Sequence, residues 1–129
     1  MDSREKVQSY LVDLGLSYEE IDSNTWLIVD EEKGVKNLVI MVSDPIVILR
    51  VKVMEIPPRD RERFYDRLLR LNAEELLHGA YALEGEHVIL IDTLELETLD
   101  IESFRASIEA MGLALAQHYK ALSGFRAKG

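Results

Sequence analysis

The chain of 129 residues has no cysteine. Disulfides, thiolate nucleophiles and Zn–Cys centres are thereby excluded together, and the composition suits a reducing compartment. Glycine is sparse: its seven residues, at positions 15, 34, 79, 85, 112, 124 and 129, never cluster into a phosphate-wrapping loop. No apolar run approaches the roughly 18 residues needed to span a bilayer. Met1-Asp2-Ser3-Arg4-Glu5-Lys6 carries charge with no apolar segment behind it, unlike a signal peptide. A cytoplasmic protein without membrane contact is the expectation. Basic residues are also in the minority, 15 against 24 acidic ones for a net charge of −9. Phosphate neutralisation supplies much of the affinity of duplex-binding proteins, so nucleic acid is not an expected partner.

What the chain does have is apolar content, 47%, enough for a globular core rather than a disordered segment. Its length fits one domain over residues 1–129. Charge is unevenly placed. Between Glu84 and Phe104 stand seven carboxylates (Glu84, Glu86, Asp92, Glu95, Glu97, Asp100 and Glu102) and no lysine or arginine. Between Arg59 and Arg70 there are five arginines against three acids. Such runs are ordinarily solvated faces; alternatively the acidic stretch meets a basic partner segment, or the arginine helix of a second copy.

The element order reads α-β-β-β-α-β-β-α. A helix is expected from Ser3 to Leu14, with Asp2 and Glu5 as a capping box and Val7, Tyr10, Leu11 and Leu14 on one stripe. Asp22-Ser23-Asn24 is turn chemistry ahead of a strand over Trp26–Asp30, and Asp30–Gly34 reads as a polar turn. Strands over Val35–Ser43 and Ile46–Glu55 are joined by a tight hairpin at Ser43-Asp44-Pro45. Pro57-Pro58 ends the run, and a helix over Arg59–Asn72 buries Phe64, Leu68 and Leu71, with Asp66 and Arg70 as an i,i+4 pair. Gly79–Leu83 and His87–Leu94 form a second hairpin around Glu84-Gly85-Glu86. The last helix, Ile101–Leu122, is capped by Asp100 and carries the stripe Ile101, Phe104, Ile108, Met111 and Leu115; the tail after Ser123 is expected to fray. Hairpins without βαβ crossovers imply an α+β fold: an antiparallel five-stranded sheet with helices packed beside it.

The central hairpin departs from the alternation of a half-buried strand. One face of Ile46–Met54 is Val47, Leu49, Val51 and Val53; the other is Ile46, Ile48, Arg50, Lys52 and Met54. The preceding strand places Leu38, Ile40 and Val42 on one side and Val39 and Met41 on the other. One face must pack on helices. The second offers Val39, Met41, Ile46, Ile48 and Met54, a patch that monomers rarely leave bare. Either a helix of the same chain covers it, giving three layers, or a partner does, and these five residues are the candidate interaction surface.

Residues that could carry chemistry do not assemble into a motif. His78, His87 and His118 have no metal-ligand spacing; hairpin geometry could bring His78, His87 and Asp92 together, but surface or capping histidines account for them more simply. The carboxylates occur as adjacent pairs typical of solvated turns, and no serine has a nucleophile-elbow context. Phe64 and Tyr65 among the arginines could stack on RNA, yet at helical spacing they read first as core. No catalytic residue, metal or cofactor is expected.

Leu68–Gly85 (LLRLNAEELLHGAYALEG) followed by His87–Phe104 (HVILIDTLELETLDIESF) resembles the YbjN family, whose fold is like that of type III secretion chaperones. The resemblance extends upstream through Asn37–Pro57 and covers roughly residues 5 to 120, carried by the succession of elements rather than by one motif. It implies a compact, acidic homodimer without enzyme activity. Secretion chaperones hold an extended stretch of cargo along hydrophobic grooves, and YbjN proteins carry the label of sensory-transduction regulators. The expected function is a chaperone-like homodimer that binds a segment of a partner protein. The alternative is a small regulatory or ligand-sensing domain without turnover.

Overall fold

The computed structural model describes residues 2–30 and 37–125. Three helices and six strands follow the order α1 (Ser3–Asp13), β1 (Tyr18–Asp22), β2 (Thr25–Ile28), β3 (Leu38–Ser43), β4 (Ile46–Glu55), α2 (Arg61–Glu74), β5 (Ala80–Glu84), β6 (His87–Glu95) and α3 (Ile101–Ser123). The sheet is antiparallel throughout, with spatial order β1-β2-β3-β4-β6-β5. The expected turn over 30–34 and the start of the expected strand at Val35 lie, Asp30 and residues from 37 apart, outside the described residues.

The α+β class holds, but the sheet has six strands rather than five. The additional strand is β1, whose sequence Tyr-Glu-Glu-Ile-Asp has an acidic pattern poor in strand formers. It lies at the edge and pairs with β2 alone. Charged side chains on an edge strand discourage pairing with another chain. Arg4 of α1 ties this edge down through the Glu20 carboxylate and the Ser23 carbonyl.

Local chemistry accounts for the element ends. The Asp2 side chain accepts from the Glu5 amide to start α1. Asp100 and Ser103 form a reciprocal capping box at α3, and the Ser103 amide holds the Asp100 carboxyl below its ordinary value. The β3–β4 hairpin turns through Asp44 and a cis Pro45, with Ser43 opposite Ile46. Gly85 turns β5 into β6 at a φ of 58°. Gly79 has a φ of 80°, and a Cβ there would stand 2.8 Å from the Ile91 carbonyl oxygen, so only glycine fits. The tail does not fray immediately: the Phe125 ring meets Phe64 edge-on at 5.3 Å between centroids.

The buried side chains of all three helices share one core with one face of the sheet. Val7 and Leu11 of α1, Phe64, Leu68 and Leu71 of α2, and Phe104, Ile108 and Met111 of α3 join Trp26, Ile40, Leu49, Val51 and Leu90. Register places those strand residues together: Trp26 is opposite Ile40, Ile40 opposite Leu49, and Val51 opposite Leu90. The architecture is two layers, with the helices on one face.

That arrangement predicts unequal costs for truncation on the two faces. Phe104→Ala, inside the helix–sheet layer, should cost about 3–5 kcal/mol in urea unfolding, because it opens a cavity. Met41→Ala, on the opposite face, should cost less than about 1 kcal/mol. Equal losses would contradict the two-layer arrangement.

Candidate functional site

The face of the sheet turned away from the helices is built of cross-strand rows. Leu27, Val39, Arg50, Ile91 and Ala80 form one row across five strands. Thr25, Met41, Ile48 and Thr93 form the next; Ser43, Ile46 and Glu95 lie beyond it, and Lys52, Ile89 and Ala82 lie on the other side. None of Leu27, Val39, Met41, Ile46, Ile48, Ile89 and Ile91 belongs to the helix-facing core. Val39, Ile46 and Ile48 are half-buried, and Met41 is 38% exposed. Among the described residues no helix covers this face, so the three-layer alternative does not apply.

Four of the five residues expected on this surface therefore stand on it: Val39, Met41, Ile46 and Ile48. Met54 does not. A bulge between Lys52 and Met54 adds Val53 to β4 without a partner on β6, so Met54 pairs with Val88. One extra residue flips every later side chain to the other face, and Met54, 8% exposed, joins the core with Val88. Conversely Leu27 and Ile91, both half-buried, belong to the open face, while Ile89 shares their side of the sheet but is itself buried, 6% exposed. Their signal was the antiparallel register, which sequence alternation within a single strand does not supply.

One cation of the face, Arg50, lies in its interior, while Glu19 and Glu95 lie at the ends of rows. Arg50 sits mid-row and reaches the Glu84 carboxylate on β5; both side chains are substantially exposed. Glu19 pairs opposite Leu27, and Glu95 opposite Ile46. The acidic stretch from Glu84 to Glu102 is not one surface. Glu86 is bound by Arg61, Asp92 accepts from the buried Ser107 hydroxyl at 2.5 Å, and Asp100 caps α3. On α2, Arg70 pairs with Asp66 at 2.8 Å, as the spacing implies.

The histidines divide differently from the expectation. His78 Nδ1 lies 3.9 Å from Asp92, but His87 is at the opposite end of β6 beside Glu55, so the three are not brought together. His118 is no surface residue: it is 3% exposed, on the continuation of the Phe104–Leu115 stripe of α3. Its Nδ1 is 2.7 Å from the Tyr81 hydroxyl, and its Nε2 is 3.5 Å from a Glu75 carboxylate oxygen. Nδ1 and the Tyr81 hydroxyl share a hydrogen bond, whereas Nε2 makes none, the Glu75 oxygen standing only at ion-pair distance. Burial pushes the Tyr81 hydroxyl up to about 12, with Glu75 adding to the shift. Burial also lowers the His118 value, opposed by Glu75 and assisted by Arg67. The Tyr81–His118 hydrogen bond ties β5 to α3, with Glu75, the C-cap residue of α2, beside it.

Residues 1–128 match the model of the CesT_Tir_1 family. The chain belongs to that family of type III secretion chaperones. Solved structures with this fold include YbjN from E. coli, 18% identical over 92% of each chain with a TM-score of 0.69. A chain of the ExoU–SpcU complex of the Pseudomonas aeruginosa type III secretion system is 14% identical over 95% of this chain and 99% of that one, at 0.70. A chain of the Yersinia pestis complex of the secretion chaperone SycH with a fragment of YscM2 is 13% identical over 90% and 98%, at 0.55. No curated protein sequence matches this chain. Among the described residues, no helix is long and apolar enough to cross a membrane.

The buried imidazole predicts a specific acid response. A histidine whose folded value is depressed stabilises the fold above its unfolded value of about 6.5 and loses that contribution as pH falls through the lower folded value. The melting temperature of the wild type should therefore drop more steeply below about pH 6.5 than that of His118→Phe. Parallel curves would show that His118 is solvated in the folded state.

Proposed function

We propose that this protein is a non-enzymatic, chaperone-like binding module of the cytoplasm that holds a segment of a partner protein on the open face of its sheet. The observation that carries this reading is the composition of that face: Val39, Met41, Ile46 and Ile48 form an apolar surface with no helix against it among the described residues. Family membership supports it, since structures with the same fold include complexes of secretion chaperones with other proteins.

The working form is a homodimer joined at a different surface. Leu69 on α2, Leu77 after it and Leu83 on β5 are strongly exposed. They lie around the place where α2 meets the sheet edge: the Asn72 side chain accepts from the Tyr81 amide at 2.7 Å and donates to the Tyr81 carbonyl at 3.1 Å. Asn72 thus occupies the outer edge of β5 as a neighbouring strand would, which favours side-chain packing over strand addition there. Three exposed leucines on one flank fit a second copy, each contributing the same surface.

Two measurements test these parts separately. A photo-crosslinking side chain at position 41 or 48 should join the protein to a different polypeptide in cells, while one at Glu109 on α3 should not. Adducts at all three positions alike would remove the open face as the site. In light scattering the wild type should have twice the chain mass, and Leu69→Glu with Leu77→Glu should halve it. A wild type at one chain mass would sink the dimer and leave the binding face untouched.

A further inference from the structure

We infer that the occupant of the open face is an amphipathic helix of the partner, with a carboxylate within its apolar stripe and basic residues at its flanks. The inference rests on the binding-module reading and adds the conformation and charge of what is bound. Backbone hydrogen bonding sets the conformation. The strands beneath this face already pair with one another, so an extended segment laid across it finds no backbone donor or acceptor. A helix satisfies its own amides and presents only side chains.

Size argues against a second copy. Five strands about 4.8 Å apart, and a length of about 20 Å from the Ile46 row to the Lys52 row, give a face of about 400 Å². A stable interface of standard size buries about 800 Å² per partner. A helix of about 14 residues is about 21 Å long and some 10 Å wide, and covers the band formed by Val39, Met41, Ile48 and Ile91.

Charge sets the rest. Arg50 lies inside the apolar band, and its exposed pair with Glu84 is weak enough to be exchanged for a carboxylate of the occupant. Glu19 and Glu95 at the row ends face the flanks of a helix seated on the band and match basic residues there.

Selection of random peptides of about 16 residues on the full chain tests this. Enriched peptides should carry apolar residues at i, i+3, i+4 and i+7 with an acid among them. Their affinity should fall at least about tenfold on Met41→Asp and on Ile48→Asp, variants whose circular dichroism is expected to match the wild type. Arg50→Glu should weaken the same peptides and be rescued when the peptide acid is replaced by lysine. If the enriched peptides alternate apolar and polar residues and still depend on Met41, the helix is wrong while the binding module stands. If neither pattern depends on Met41 or Ile48, or Met41→Asp converts a dimer to a monomer, both readings of this face fall.

Discussion

The three described helices all bury their apolar sides against the same face of the sheet. The central strand β4 offers Val47, Leu49 and Val51 to one face and Ile46, Ile48 and Arg50 to the other, yet helical side chains reach only the first. Fully burying a Leu or Ile side chain stabilises by roughly 1.5–3 kcal/mol, so the second face leaves a substantial favourable term unrealised in the isolated chain. Most of what distinguishes the molecule follows from this one-sided burial. The open face holds apolar rows that an ordinary monomer would keep polar.

The helical layer is held where it is by polar ties as well as by packing. Asn72 docks α2 on the edge of β5, Ser107 anchors α3 to Asp92, and His118 of α3 bonds Tyr81 of β5. These contacts are buried or half-buried, where an unmet donor or acceptor costs more than a surface pair contributes. They fix the helices on one side and keep them from migrating to the other. The two sheet edges are managed differently: β1 carries exposed acids, and β5 is met by α2. With one edge charged and the other occupied, addition of a further strand is disfavoured at both.

Much of the fold was legible because strong periodicity dominates long elements. The bounds of β4 and the cap and start of α3 follow from alternation and from Asp100, and the hairpins follow from Asp44-Pro45 and Gly85. β1 escapes the sequence pattern because an edge strand needs only one partner, and Glu19, Glu20 and Asp22 read as a solvated turn. The place of Met54 does too, because a bulge leaves no mark in a run of valines and lysine. His118 is legible in principle, since steps of three and four from Phe104 reach it, but a polar residue on an apolar stripe reads first as surface. The partner of Ser107 depends on how α3 crosses β6, which no local pattern encodes. Family resemblance pointed to the chaperone fold, and the match over residues 1–128 agrees with it.

Among the described residues, no helix covers one face of the sheet. Methyl relaxation with an inert paramagnetic cosolute measures the exposure of that face directly, residue by residue. Strong enhancement is expected at the methyls of Met41, Ile46 and Ile48 and little at Ile40, Val47 and Leu49, their neighbours in the same two strands. Equal protection of both sets would contradict one-sided burial, because something would then cover the open face.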